Sequence, residues 1–411
     1  MKKIITIVTI LFLSFVLTLT FSFYACTPSN QDLSKDTVNN IGVTNKNAVG
    51  TNEFNEYYTD KNTQNDTKNS QNQQNNEENS TNMQNITPQE DQEDIRFIAP
   101  FVDMVSWVDP SSPYSQNGAI NLKRLAEDSN NYTYCLGFVQ LNQANPTNPD
   151  GSARWGWGGY FDLSEKGNDG YQYEGIKTSI QNLKDAGGDV IVSFGGQLGL
   201  APWTVCQDKE VLMQMYLEVI NAYDLQRIDL DIEESNQDAY QNYQNAIALK
   251  EVQDATNIKV TLTIPISPTG WEQKQIDVIK AYLGTGLKVD IINSMTMCYY
   301  GYGVRLDEDY GEASIRALQN AKDQLKTIYT GFGITLTDSE AYSLMGATVA
   351  IGAETGNPDF TAPLTKKLVT FCKDVGMRQM SMWNMERDAM IEYNSSIHER
   401  YEHIKELFKF L

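Results

Sequence analysis

Ile228-Asp229-Leu230-Asp231-Ile232-Glu233, followed by Glu234 and Ser235, alternates three branched apolar residues with three carboxylates. A strand sends successive side chains to opposite faces, so Asp229, Asp231 and Glu233 share one face and Ile228, Leu230 and Ile232 the other. Like charges about 7 Å apart along one face repel one another, and a solvent-facing edge would more usually mix charge signs or use Thr. An inward-facing ladder of carboxylates raises the proton affinity of one acid through its neighbours, as general acid catalysis requires. Two other readings of the segment by itself are an acidic edge strand and a cation site.

Similar β-branched runs recur on both sides of this segment. The candidate strands are Phe97–Val105, Thr133–Leu141, Asp189–Gly195, Arg227–Glu233, Ile258–Ile264, Asp290–Met297, Gly346–Ile351 and Gln379–Asn384. Between them, apolar residues recur at three- and four-residue spacing in Tyr171–Ala186, Lys209–Tyr223, Ala239–Ala255, Ala313–Thr327 and Thr365–Val375, which predicts amphipathic helices. Eight alternating strand and helix units predict an α/β fold of the (β/α)8 TIM barrel type. A doubly wound open sheet is the competing fold, but no Gly-x-Gly-x-x-Gly turn follows the first strand. In a barrel the chemistry sits at the C-terminal ends of the strands. That rim would gather Glu233, Gly195 and Gly196, the Met295-Thr296-Met297-Cys298-Tyr299 segment, and Trp383.

The first hundred of the 411 residues do not read as part of a core. Met1-Lys2-Lys3 is a positive start, Ile4 to Phe23 is almost uninterruptedly apolar, and Ala25-Cys26 closes the run. This is an export signal or an uncleaved anchor, and the small residue before Cys26 resembles the lipobox of bacterial lipoproteins, with Cys26 the lipidated residue. Residues 27–93 are rich in Asn, Gln, Ser and Thr and poor in branched and aromatic residues. Such a stretch cannot bury enough apolar surface to offset its conformational entropy and is expected to be a disordered tether. The expected organisation is therefore an anchor over 1–26, a linker over 27–93 and a catalytic domain over 94–411. The protein is expected outside the cytoplasm, tied to a membrane, as a monomer. The net charge of −21 argues against a nucleic-acid partner. The five Cys are widely spaced with no C-x-x-C pair, which suggests neither a zinc cluster nor a dense disulfide framework. His398 and His403 are the two His, five apart near the C-terminal end, and both read as surface residues, so neither His-activated nucleophiles nor His-ligated metals are expected.

Taken together the segments resemble glycoside hydrolase family 18, the chitinases and chitinase-like barrels. Asp229, Asp231 and Glu233 are similar to the second part of its D-x-x-D-x-D-x-E signature, and Ser193-Phe194-Gly195-Gly196 to its S-x-G-G strand. Met295 to Tyr299 resembles its M-x-M-D-Y segment, and Met380-Ser381-Met382-Trp383 its closing strand. The likeness runs from about Phe97 to Leu411 and is nearest a bacterial subgroup in which x-R-I-D-F-D-I-E is usual. The resemblance implies retaining, substrate-assisted hydrolysis of β-1,4-N-acetylglucosamine linkages in chitin or its oligosaccharides, without a cofactor or metal. It implies Glu233 as the acid, Asp231 as the group that orients the substrate's 2-acetamido oxygen, and Asp229 as the like charge behind Asp231. Tyr299 would donate a hydroxyl to the acetamide, and Trp383 would floor the sugar. Met295, Met297, Gly195 and Gly196 would line the sugar site, and Trp157, in Trp155-Gly156-Trp157-Gly158-Gly159-Tyr160, would add a stacking subsite or be a buried aromatic pinning a Gly-rich turn. Two positions depart from the family pattern: Gln226 and Arg227 replace the first Asp and the following Gly, and Cys298 stands where the segment has Asp. Cys298 reads as a small apolar residue and not a nucleophile, since no His is near to activate it. Two further readings are an endo-β-N-acetylglucosaminidase acting on related glycans and a catalytically weak oligosaccharide-binding protein.

Overall fold

The computed structural model describes residues 95–411 apart from 107, 159–169, 355, 394 and 395. The expected signal, Cys26 and the 27–93 linker lie outside the described residues, as do Trp107 and Tyr160.

The first strand is in two pieces, β1 (Phe97–Ile98) and β2 (Phe101–Asp103). Pro100 has no N–H to donate, and the chain changes partner around it. β1 pairs in parallel with the last strand, whereas β2 pairs in parallel with Thr133–Leu141 (β3). Ala99 N–H still donates to Met380 O at 3.2 Å and Pro100 O accepts from Cys135 N–H at 3.0 Å, so the two pieces close one ring. Around it follow β4 (Asp189–Gly195), β5 (Arg227–Asp231), β6 (Lys259–Pro265), β7 (Val289–Met295), β8 (Met345–Ala350) and β9 (Gln379–Trp383), every neighbour parallel. The expected barrel is the observed one.

Helices α1 (Leu122–Ser129), α2 (Gly170–Asp185), α3 (Lys209–Tyr223), α4 (Ala239–Thr256), α5 (Gln273–Gly284), α6 (Tyr310–Gly331), α7 (Ala362–Asp374) and α8 (Glu402–Leu407) connect or follow the strands. Their starts are written locally: Asp208 and Asp238 side chains accept from the third residue of α3 and α4, and Asp309 with Glu312 forms a capping box on α6. Ile228, Leu230 and Ile232 are fully buried on the helix side of β5, while Asp229 and Asp231 are buried inside the barrel. His403 corrects its surface assignment. It is buried beside Ile404 on the inner face of α8, with Nδ1 2.8 Å from Thr365 Oγ1, and burial lowers its pKa to about 4. His398 is exposed.

Trp155–Trp157 is a short strand antiparallel to β3, where the sequence predicts a loop. Trp157 is buried, its Nε1 donates to Tyr223 Oη at 3.1 Å, and its ring packs on Tyr223. It is a core residue and not part of the cleft described next, which corrects its assignment as a sugar-stacking subsite.

Candidate active site

A cleft of about 600 Å³ opens at the C-terminal ends of the strands. Asp231, Glu233 and Glu234 enter it from the end of β5, and Met295, Met297, Cys298 and Tyr300 from the end of β7. Trp383 closes one side, stacked on Phe138 with ring centroids 5.8 Å apart at 24° and leaning on Phe101 at 6.2 Å. Arg387, ion-paired with Glu354, lies on the same rim.

The carboxylate ladder is graded by its surroundings. Asp229 lies deepest, accepting hydrogen bonds from Ser193 Oγ at 2.6 Å and from Thr263 Oγ1. Burial raises its pKa to about 6, with those two hydroxyls and the Arg227 charge holding it from going higher. Thr263 in turn accepts from Asn293 Nδ2 at 3.0 Å, and Asn293 also donates to Thr348 Oγ1 at 2.7 Å, so a buried polar chain crosses the barrel beneath the cleft. Asp231, the next step up, is pushed well above the carboxylate range by burial, then by the charges of Glu233 and Asp229. Its side chain is hydrogen-bonded to Glu233, yet its buried Oδ1 has no partner among the described residues. Glu233 rises from 4.5 to about 7, chiefly through burial, with the bond to Asp231 opposing and Glu234 adding to the rise. Two carboxyls in contact in a low-dielectric site cannot both ionise at neutral pH, so the pair holds a proton between them. A retained proton next to an unsatisfied acceptor, over an aromatic floor, can protonate a leaving oxygen while orienting a neighbouring N–H.

Backbone geometry holds the acids at this height. Gly195 (φ +109°) passes so close to β5 that a Cβ there would sit 2.2 Å from Asp231 O, and at Gly196 (φ +93°) it would sit 2.9 Å from the Phe138 ring. These glycines shape the site from behind and do not line the cleft. The exit turn after Glu233 is clamped by Asn236, which the sequence reading did not single out. Its Oδ1 accepts from Ala201 N–H and its Nδ2 donates to Gly196 O, both at 3.0 Å. Its carbonyl accepts from Trp203 Nε1 and Asn242 Nδ2.

Of the residues expected here, Asp231, Glu233, Met295, Met297 and Trp383 line the cleft, and Asp229 supports them from beneath. Tyr299 does not. Its ring is buried against Tyr310 and its hydroxyl is 3.1 Å from Ser314 Oγ, which corrects the expectation that it faces the acids. Tyr300 and Cys298 line the cleft in its place. Burial and then Glu354 raise the Cys298 pKa to about 11, so its thiol is neutral. Phe138, Asp103 and the Glu354–Arg387 pair also line the cleft without a signal in the sequence that distinguishes them from core and surface residues.

No family model matches the chain. It is 26% identical over 293 residues to a probable bifunctional chitinase/lysozyme of Escherichia coli (strain K12), covering 68% of this chain and 30% of that relative. It is likewise 26% identical over 293 residues to Endochitinase 11 of Metarhizium anisopliae, covering 68% of this chain and 52% of the relative. The chain thus spans less than two thirds of the length of either relative. Its fold is similar to the catalytic domain of a hyperthermophilic chitinase from Pyrococcus furiosus, with a TM-score of 0.62 at 24% identity over 77% of this chain and 94% of that chain. Catalytic-site mutants of active domain 2 of a thermostable chitinase from the same organism, complexed with chito-oligosaccharides, give 0.61 at 23% identity over 78% and 97%. The chain is thus similar in sequence to two chitinases and shares the barrel fold of these solved chitinase structures.

Proposed function

We propose that the chain is a retaining chitinase that cleaves β-1,4-linked N-acetylglucosamine polymers or oligomers with help from the substrate's own acetamido group. The observation that carries this reading is that Asp231 and Glu233, from the end of one strand, line a cleft together with Trp383 stacked on Phe138, and burial raises the proton affinity of both acids. Glu233 gives its proton to the glycosidic oxygen as the bond to the anomeric carbon breaks. The acetamido oxygen closes onto that carbon, and Asp231 Oδ1 accepts the amide N–H and balances the positive charge of the resulting ring. Glu233, now ionised, takes a proton from the water that reopens the ring, restoring the starting state. Trp383 offers the flat face on which the apolar side of a pyranose packs.

The whole chain, assayed on fluorogenic chitobioside and chitotrioside, is expected to release fluorophore, and Glu233→Gln to remove nearly all of that activity. Activity that survives in Glu233→Gln sinks the assignment of the acid. We place this catalytic unit, residues 94–411, outside the cytoplasm, tethered through the 27–93 linker to a lipidated Cys26. Cys26→Ser is then expected to release the protein from the membrane fraction.

A further inference from the structure

The inner face of β5 begins with a cation. β5 pairs with β4 and with β6 in one register throughout, so Arg227 stands on the same face as Asp229, one step further from the cleft. Its side chain is 12% exposed. The guanidinium packs over the Phe97 ring at 4.9 Å, donates to Thr261 Oγ1 at 3.2 Å and is ion-paired with Asp290 at 2.5 Å. Asp290, on β7, is also ion-paired with Arg378 at 2.9 Å, and Arg378 Nε donates to Ser343 O at 2.6 Å.

Two guanidinium groups therefore meet one carboxylate at the closed end of the barrel, which leaves one positive charge in excess within this cluster. Burial raises the proton affinity of Asp290, but the charges of Arg227 and Arg378 outweigh it and hold the carboxyl below its usual value. Asp290 is thus an anion throughout the neutral range. The excess charge lies beneath Asp229, about 7 Å along the strand, where the low dielectric of the interior strengthens its effect. The other walls offer Asp229 nothing that carries a charge at neutral pH. Ser193 on β4 and Thr263 on β6 are hydroxyls, and Asn293 on β7 reaches it only through Thr263. The Cys135 thiol on β3 is kept neutral by burial and by the charges of Asp229 and Asp231. Above it stand the acids Asp231 and Glu233.

We propose that Arg227 is a positioning residue for the acids: anchored by Asp290, its guanidinium holds Asp229 as an anion and leaves the proton of the ladder to Asp231 and Glu233. The placement of charge rests on the geometry of the barrel floor alone, while its consequence for turnover rests on the chitinase reading.

The test pairs unfolding with turnover, using the whole chain. Asp229 titrates at about pH 6 in the folded chain, so an attraction to Arg227 exists above that pH and fades below it. Arg227→Met is expected to destabilise the fold more at about pH 8 than at about pH 5, by about three- to tenfold in the unfolding constant, which is about half to one pH unit in the ionisation of Asp229. Most of that increment is expected to vanish in an Asp229→Asn background, and Asp290, ionised at both pH values, adds nothing to it. A destabilisation equal at both pH values, or an increment undiminished by Asp229→Asn, overturns the proposal, because a merely structural Arg227 is missed equally at every pH. On fluorogenic chitobioside the acid limb of kcat/KM is expected about half to one pH unit higher in Arg227→Met and unmoved in Arg227→Lys, which keeps the charge beside Asp290. An unmoved limb in Arg227→Met also overturns the proposal. If the wild type does not hydrolyse chitobioside, the chitinase reading fails by itself and the unfolding comparison decides the role of Arg227. If Arg227→Met does not fold, Asp290→Asn decides it. Freeing the guanidinium of its counter-charge is expected to move the ionisation of Asp229, read in unfolding or at the acid limb, to lower pH, and an ionisation that stays or rises overturns the proposal.

Discussion

Glu233→Gln is expected to make the protein more stable at pH 8 while making it inactive. Burial raises the Glu233 carboxyl from 4.5 to about 7, so the folded chain keeps a proton that the unfolded chain releases near pH 4.5. Between those two values the folded state binds more protons, and stability therefore falls as pH rises. Below about 4.5 the effect is absent, and above about 7 it is complete. Shifting one carboxyl over that interval at about 1.4 kcal/mol per pH decade amounts to about 3 kcal/mol. Glutamine has no proton to lose and escapes this destabilisation, and its amide can donate to Asp231, which then faces one carboxylate fewer. The variant is expected to match wild type at pH 4 and to exceed it by about 3 kcal/mol at pH 8, or about 6 °C in melting temperature. Turnover of chitobioside is expected to drop by about 10²–10⁴-fold, the usual worth of a positioned acid. Thermal unfolding followed at both pH values provides the measurement. A wild-type to variant gap that does not change with pH would refute the claim that burial holds the proton on this pair.

Three other substitutions probe the supports of the site. Asn236→Ala orphans Ala201 N–H and Gly196 O inside the fold, at a cost of about 2–4 kcal/mol in denaturant unfolding. Because Asn236 clamps the exit turn of Glu233 and touches no substrate, kcat is expected to fall with KM little changed, and an unaltered kcat would remove its positioning role. Gly195→Ala puts a Cβ 2.2 Å from Asp231 O at a φ of +109°, so it is expected to yield little folded protein on expression, and a normal melting curve would contradict the packing described. Cys298→Asp brings a carboxylate to a position at φ +52° that Asp adopts more readily than Cys, and within the field of Glu233. The added negative charge favours the protonated Glu233, so the alkaline limb of the kcat/KM profile is expected to move to higher pH, and a limb that stays or moves lower would refute that coupling.

Much of the fold was legible because the barrel's punctuation is local. β3, β4 and α3 have the bounds predicted from sequence, each set by the turn residues around it: Asn130-Asn131 before β3, Gly187-Gly188 before β4, and the Asp208 cap before α3. The split of the first strand was harder to see. Pro100 forbids one ladder bond, yet its carbonyl and the neighbouring Ala99 N–H still bond to opposite neighbours, so a run that reads as one strand serves two. α5 and α8 escaped because their buried faces are short and mixed with polar residues such as Gln275 and His403, whose partners lie on other elements.

The site was legible wherever side-chain alternation ran unbroken to a strand end, and it was misread wherever that alternation changed phase. Asp229, Asp231 and Glu233 stay on one face because β5 and its extended exit carry no irregularity before Glu234, which turns to φ +43°. On β7 the same rule places Met295, Met297 and Tyr299 together, and the first two do enter the cleft. Cys298 then adopts a left-handed conformation at φ +52°, which sends Tyr299 inward to Ser314 and leaves Cys298 and Tyr300 facing the acids. β3 makes a similar slip. Its pairing with β4 shifts register between Leu136 and Val139, so the inner face passes from the odd-numbered Cys135 to the even-numbered Phe138 and Gln140, and the ring under Trp383 comes from a position that plain alternation assigns to the helix side. A one-residue change of phase costs a barrel strand little where it leaves the packed middle, since only the last side chains are re-aimed. Both changes fall at the rim, where re-aiming a single side chain alters the cleft and leaves the core beneath it unchanged. The barrel interior obeys a period of two, and Phe138, Cys298 and Tyr300 enter the cleft by leaving it.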